Sequence, residues 1–353
     1  MSKEYKKKTN IEARKRSDII ISELPPACSE FFLAKGNLSA QSALSYSQDY
    51  KQFFKFLISE KQGLNGKNLN EIANSDLAQV TSHDAALFMQ SIRDSHSIAS
   101  RKHFLTSLRS LFKFLDYHGV INKNPFEYIT VSDKRERHLT YLDKDEKKDF
   151  LDGIESGNGL NKHQKKYHEK NSVRDLAIIM IFLSTGIRIS ELVGLDLGDV
   201  DFKKHRLTVV RKGDTESEDY VYMSDEAEGA LREYLDMRQS YAPAKDEKAI
   251  FLNFGRNISK EDGKKEKESA HRINVRAVQR LVKRYIEANV ARQAGKITPH
   301  KLRTTFAEEM LNVTHDIERV QKLLGHSSIA STTRYVESSE EDKKSLRNLT
   351  QRE

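Results

Sequence analysis

Apolar positions fall into a helical rhythm early in the chain. In SAQSALSYSQDYKQFFKFLISEK, residues 39–61, Leu44, Tyr50, Phe53, Phe54, Leu57 and Ile58 keep that period behind a serine able to cap the first turn. SIASRKHFLTSLRSLFKFLDYHG, residues 97–119, repeats it with Phe104, Leu105, Leu108, Leu111, Phe112 and Leu115, then stops at Gly119. The region 20–130 is therefore predicted to be mainly helical. Asn124-Pro125 closes it, and VSDKRERHLTYL, residues 131–142, is polar and lacks an apolar period, which marks a joint over 131–139.

A second helical pattern begins after Thr140 and includes LAIIMIFL, residues 176–183. That is the longest clean apolar run and falls far short of the roughly 20 residues that span a bilayer, so no membrane segment is predicted. Between Asp199 and Ser224 the pattern shifts to short β-branched and aromatic runs around a Lys-Gly-Asp turn signal. This predicts a small antiparallel sheet in an otherwise helical domain, with Lys212 at a strand end entering the hairpin tip. SGNGLNKHQKKYHEKNS (156–172) and GRNISKEDGKKEKESAH (255–271) read as surface insertions. His163 and His168 lie in the first, with no cysteine or acid at ligand spacing to make a metal site.

The chain has 353 residues, enough for two domains. Its start lacks the apolar stretch of a secretory signal, and its single cysteine, Cys28, rules out an internal disulfide and a cysteine-rich zinc site. These features predict a cytoplasmic protein. Sixty Lys and Arg against 52 Asp and Glu leave a formal charge of +8, which suits a polyanion partner without demanding one. Residues 3–16 hold Lys3, Lys6, Lys7, Lys8, Arg14, Lys15 and Arg16 against Glu4 and Glu12, predicting a flexible basic arm over 1–19 or a solubilising tail. On the helix of residues 97–119, Arg101, Lys102, Arg109 and Lys113 are candidates for an exposed basic face that contacts phosphates.

Three later stretches carry candidate chemistry. In STGIRISELVGL, residues 184–195, a buried helix runs into Gly186, and Arg188 follows the break. In TPHKLRTTFAEEML, residues 298–311, Thr298 suits an N-cap and Pro299 a first helical residue. His300 and Arg303 then share one face near unpaired N–H groups and a positive dipole, an oxyanion or phosphate site in embryo. Leu302, Phe306 and Met310 can bury the other side. DIERVQKLLGH, residues 316–326, predicts a helix capped by Asp316, with Ile317, Val320, Leu323 and Leu324 inside and Gly325 as its left-handed stop. His326 then sits at a turn, and Tyr335 follows nine residues later.

TGIRISELVGL, VVRKGD, TPHKLRTTFA, LLGHSS and TTRYVE stand in the order and approximate spacing of the tyrosine recombinase (phage integrase) family, and the chain resembles that family over 140–340. The helical region before it is similar to the family's core-binding domain, and the layout looks most like the Xer-type recombinases. The resemblance implies a mainly α fold with a small antiparallel β-sheet. It also implies a two-domain C-shaped clamp, with a helical core-binding domain over 20–130, a mixed α/β catalytic domain over 140–338, and a tail at 339–353 that docks on a neighbouring protomer. It implies Tyr335 as the nucleophile toward a DNA phosphodiester, giving a 3′-phosphotyrosine and a free 5′-hydroxyl. Arg188 and Arg303 would hold the non-bridging oxygens, His300 accept the phenol proton, Lys212 protonate the leaving oxygen, His326 bond a phosphate oxygen, and Glu191 orient the neighbouring side chains. Thr304 departs from the histidine that relatives often carry there. No cofactor and no metal are implied. The implied partners are double-stranded DNA with paired inverted half-sites, three further copies of the chain, and a DNA translocase of the FtsK type. The errand would be chromosome dimer resolution or integration and excision of a mobile element. A type IB topoisomerase-like nicking and resealing enzyme and a catalytically inactive DNA-binding protein are the alternatives.

Overall fold

The computed structural model describes residues 3–132, 140–211, 218–245, 247–253, 257–259, 265–267 and 269–325. The described residues form two compact units, one within 7–136 and the other within 1–6 and 137–353.

The first unit is helical: α1 (Lys3–Glu23, whose first residues belong to the other unit), α2 (Pro26–Ala34), α3 (Ala40–Glu60), α4 (Asn74–Leu77), α5 (Ser82–Ser91) and α6 (Ile98–Tyr117). Ser39 and Ser97 cap α3 and α6 as their sequences predict, each accepting from a backbone N–H three residues on. Phe53 of α3 meets Phe88, Phe112 and Phe126 edge-on in the centre of the core. Tyr50 donates to the Ser107 carbonyl at 3.0 Å, tying α3 to α6 inside that core.

Residues 3–19, predicted as a flexible arm or tail, belong instead to α1. Ala13 packs on Ala40 and Leu44, Ser17 is buried, and Leu24 joins the main core. The inward face is narrow and made largely of small residues, so the charge surrounding it hides it from a count of apolar positions.

The second unit is built around α8 (Lys162–Thr185), which packs against α7 (Lys144–Ser156), α10 (Asp225–Met237) and α12 (Pro299–Thr314). α9 (Ile189–Val193), α11 (Val275–Asn289) and α13 (Ile317–Leu324) complete the described helices. Strands β1 (Val200–Asp201), β2 (Arg206–Val210) and β3 (Glu218–Tyr222) form the predicted antiparallel sheet, with Leu207 opposite Val221 and Val210 opposite Glu218.

The stretch 156–172 is not a surface insertion. From Lys162 onward it forms the first turns of α8, capped by Asn161, and Asn171 is buried. Arg174 and Asp175 form a buried ion pair just beyond, and His168 hydrogen-bonds the Tyr285 hydroxyl of α11 at 3.0 Å. The polar turns escaped notice because their lysines stay in water while only the alternate faces pack.

The stretch 255–271 is split. β5 (Asn257–Ser259) and β6 (Lys265–Lys267) pair with each other. Ala270 is buried, and β7 (His271–Arg272) pairs with β4 (Leu252–Asn253). Arg272 explains that anchoring, since its guanidinium donates to the Val193 and Leu195 carbonyls and meets Asp196.

Candidate active site

Helix α8 ends at Gly186, where φ is +60°. A Cβ there would lie 2.4 Å from the Phe306 ring and 3.1 Å from Leu324, so glycine lets α8, α12 and α13 close on one point. Arg188 begins α9 at that point. Its backbone N–H donates to Glu191 Oε2 at 2.7 Å and its Nη1 to Oε1 at 2.9 Å, so one buried carboxylate fixes both ends of the residue. Glu191 thus holds Arg188 by both its backbone and its guanidinium.

Thr298 occupies the N-cap position of α12 and Pro299 its first turn, but the threonine side chain makes no capping bond. Its carbonyl instead accepts from the N–H groups of Lys301 and Leu302. His300 is exposed in the first turn. Its proton affinity is held below the ordinary histidine value, first by partial desolvation of the ring and then by the positive charges of Arg303, Lys301 and Arg188. That field puts the two arginines and the histidine in one electrostatic neighbourhood.

Arg303 departs from expectation. It shares the helix with His300 but turns inward to 2% exposure, with Nη1 donating to the Gly186 carbonyl at 2.7 Å and Nη2 to the Leu324 carbonyl at 2.5 Å. Both acceptors lie at helix C-termini, where the last carbonyls have no partner in their own helix. Thr304 is buried as well, its hydroxyl bonding back to the His300 carbonyl at 3.3 Å.

Helix α13 begins and ends as predicted: Asp316 accepts from the Arg319 N–H, and Gly325 takes φ +59°. Val320 and Leu324 are buried, whereas Leu323 is 43% exposed rather than inside. Two buried positions and a half-buried Ile317 are enough to seat so short a helix, and Leu323 turns to solvent.

Sequence reasoning missed Arg211. It follows β2, is 8% exposed, and donates to Asp219 at 2.7 Å, to the Leu324 carbonyl at 2.5 Å and to the Leu323 carbonyl at 3.1 Å. The available signal was the strand alternation, since Leu207 and Val209 are inward positions and Arg211 continues the same face. Lys212, His326 and Tyr335 lie outside the described residues, as does the tail at 339–353.

Among the basic-face candidates, Lys113 is exposed, while Arg101 and Lys102 are half-buried. Arg109 is not a surface cation. It donates to the carbonyls of Phe126, Glu127 and Ile129, because the chain after Gly119 returns across α6 and presents carbonyls outside any helix or strand to it.

The geometry is a clustered pair of arginines, a histidine held toward its neutral form, and a turn leading into residues 326–335. Residues 141–342 match the family described as "Phage integrase family". The chain belongs to the phage integrase family. It is a tyrosine-type site-specific recombinase.

The recombinase is 30% identical to the tyrosine recombinase XerC of Caldanaerobacter subterraneus subsp. tengcongensis, over 88% of this chain and 82% of that one. It is also 30% identical to the tyrosine recombinase XerS of Streptococcus thermophilus, over 86% and 89% respectively. Its fold is similar to that of the XerH recombinase bound to a palindromic difH substrate (TM-score 0.65, 17% identity, 96% of this chain and 94% of that one). It is similar also to the Tn1549 transposon integrase in complex with a circular intermediate DNA (TM-score 0.63, 20% identity, 91% and 97%). Among the described residues, no helix is long and apolar enough to cross a membrane.

Proposed function

We propose that this recombinase cuts and rejoins double-stranded DNA through a 3′-phosphotyrosine at Tyr335. The observation that carries the reading is the Glu191-aligned Arg188 beside His300, in a positive field that favours the neutral imidazole.

A phenol with a pKa of about 10 attacks phosphorus poorly at neutral pH, so it needs a base or a positive field. Neutral His300 accepts the phenol proton. Arg188 offers a planar fork to the non-bridging oxygens, where charge gathers in the five-coordinate transition state. Arg303 serves the same oxygens once its guanidinium shares its donors between the carbonyls and the phosphate, and His326 adds a further hydrogen bond. Tyr335 Oη forms the new P–O bond, the bond to the 5′-oxygen breaks, and Lys212 gives that oxygen its proton. A 5′-hydroxyl from the partner strand then reverses the steps.

The relatives named tyrosine recombinase XerC and XerS support recombination as the activity, and chromosome dimer resolution is the errand assigned to it in this proposal. That errand calls for a tetramer on two paired inverted half-sites and a translocase of the FtsK type, with the protein on the nucleoid. Lys113, exposed on α6, is the clearest remaining candidate for a phosphate contact from the helical unit.

The test is a duplex recovered by the full chain from random-sequence DNA and nicked beside the cleavage position to trap the adduct. The wild type should form a covalent complex, and Tyr335→Phe should bind without forming one. An adduct from Tyr335→Phe would overturn the nucleophile. Relaxation of a single duplex with no exchange between two duplexes would favour the topoisomerase-like reading.

A further inference from the structure

We propose that Arg211 is a positioning residue that pins the end of β2 to the C-terminus of α13, and thereby fixes the approach of the general acid next to it. The inference rests on the reading of Lys212 as that acid.

The arginine is well placed for the task. Its Nε meets Asp219 on β3 at 2.7 Å, while Nη1 and Nη2 reach the Leu324 and Leu323 carbonyls at 2.5 and 3.1 Å. One rigid guanidinium therefore joins both strands of the hairpin to the last turn of α13. A lysine, with one nitrogen, cannot reach both Asp219 on β3 and the two carbonyls at the end of α13 as a planar fork does.

The packing repeats the message. Gly325 lies against the guanidinium so closely that a Cβ would stand 2.7 Å from Nε and 2.8 Å from Cδ and Cζ. The Leu324 carbonyl also accepts from Arg303, so the hairpin pin and an active-site arginine share one oxygen. The peptide bond after Arg211 leads directly to Lys212, and the one after Gly325 to His326. Holding Arg211 and Gly325 in contact fixes the starting points of both residues, although they belong to chain segments far apart in sequence.

The role has a chemical signature. An alkoxide leaving group needs a proton from the acid, whereas a thiolate, with a thiol pKa of about 8.5, departs without one. A nicked duplex with sulfur in place of the bridging 5′-oxygen therefore bypasses the acid. In Arg211→Met, which keeps the apolar stem and removes every donor, DNA binding should stay near wild type. Adduct formation should fall about 10- to 100-fold on the oxygen duplex, less than the roughly 100- to 10,000-fold of a fully lost acid–base contribution, because the acid is misaimed rather than removed. On the sulfur duplex the rate should return to within about threefold of wild type.

Asp219→Ala is a second variant at an exposed carboxylate, so it is safe for the fold. Of the three Arg211 contacts it removes only that of Nε, besides releasing the Tyr220 N–H, and it should give a smaller loss with the same rescue. Wild-type cleavage of the oxygen duplex by Arg211→Met would overturn the proposal, and so would an equal loss on both duplexes. If Arg211→Met does not fold, an Asp219→Ala loss that sulfur fails to relieve overturns it. If the wild type forms no Tyr335 adduct on either duplex, the functional reading falls first and the positioning role with it.

Discussion

Glu191→Gln isolates the part of the site that the structure shows most completely. The substitution keeps size and shape at a buried position, where the carboxylate accepts from the Arg188 backbone N–H and from Nη1. A carboxamide has one acceptor oxygen, so at least one of the two contacts becomes donor against donor. A lost charge-assisted hydrogen bond costs about 1.5–3 kcal/mol. Neutralising one partner of a fully buried pair costs more, about 3–5 kcal/mol. The Arg188 side chain is 35% exposed and water screens it, so the lower range applies. The expected loss of stability is therefore about 2 kcal/mol, visible as an earlier urea transition of the catalytic unit by circular dichroism. Arg188 also loses its aim, and cleavage should slow by about 10- to 100-fold, the equivalent of about 1.4–2.7 kcal/mol in the barrier. Single-turnover adduct formation on the nicked duplex measures that. A transition and a rate both at wild-type values would refute the claim that this carboxylate aims the arginine. A lower transition with an unchanged rate would confine Glu191 to the fold.

Further outcomes concern His300 and the helical unit. His300 binds a proton more weakly in the folded chain than an ordinary histidine, so its contribution to stability is fully present above the usual histidine range and is lost as pH falls through the lowered value. As the proposed base it must be neutral, so the acid limb of the cleavage rate should lie below the ordinary histidine range. Lys301→Gln removes one of the depressing charges and should move that limb upward; an unmoved limb would argue that another group titrates. In the helical unit, Arg109→Met should lower stability by about 1–3 kcal/mol, because the carbonyls of Phe126, Glu127 and Ile129 lose the guanidinium and Phe126 keeps only the Ile129 N–H, and leave the salt dependence of DNA binding unchanged. Lys113→Ala should do the reverse, reducing the salt slope by about 1 without a stability change, and an identical pattern in both variants would contradict the division.

What the sequence disclosed follows from how local each signal is. Helices α3 and α6 carry a one-sided apolar period behind a serine, and α13 has its aspartate cap and glycine stop, so all three were legible within their own residues. α8 was half legible. Its last three turns are apolar on most sides, with Ala177, Ile178, Ile179, Ile181, Phe182 and Leu183 all buried, while its first turns are charged. Such a helix presents no single stripe, and the charged half read as loop. α1 was missed for a related reason: Ala13 and Ser17 make its inward face, and small residues carry little hydrophobic signal. In the candidate site, Arg188 and His300 could be singled out because each stands at one helix end, whereas Glu191 came only with the family resemblance.

The arginines show where local reading stops. Arg109, Arg174, Arg211, Arg238, Arg272 and Arg303 each donate to backbone carbonyls of segments distant in sequence. An isolated arginine in a basic chain reads as a cation for a phosphate, and the charge surplus encourages that reading. Helix C-termini and returning loops create a competing demand, because each leaves carbonyls that burial would strand. Guanidinium answers that demand better than ammonium, having five donors in a plane and a weaker hold on water. The consequence for this recombinase is specific. The formal charge of +8 overstates the cations turned toward DNA, and lysines such as Lys113 become the better candidates for long-range attraction. Arg303 stands at the meeting of both demands: the carbonyls of Gly186 and Leu324 hold it at the point where three helices close. A phosphate that recruits it must compete with those carbonyls, so its contribution to catalysis depends on how firmly α13 is held, which is the task the structure gives to Arg211.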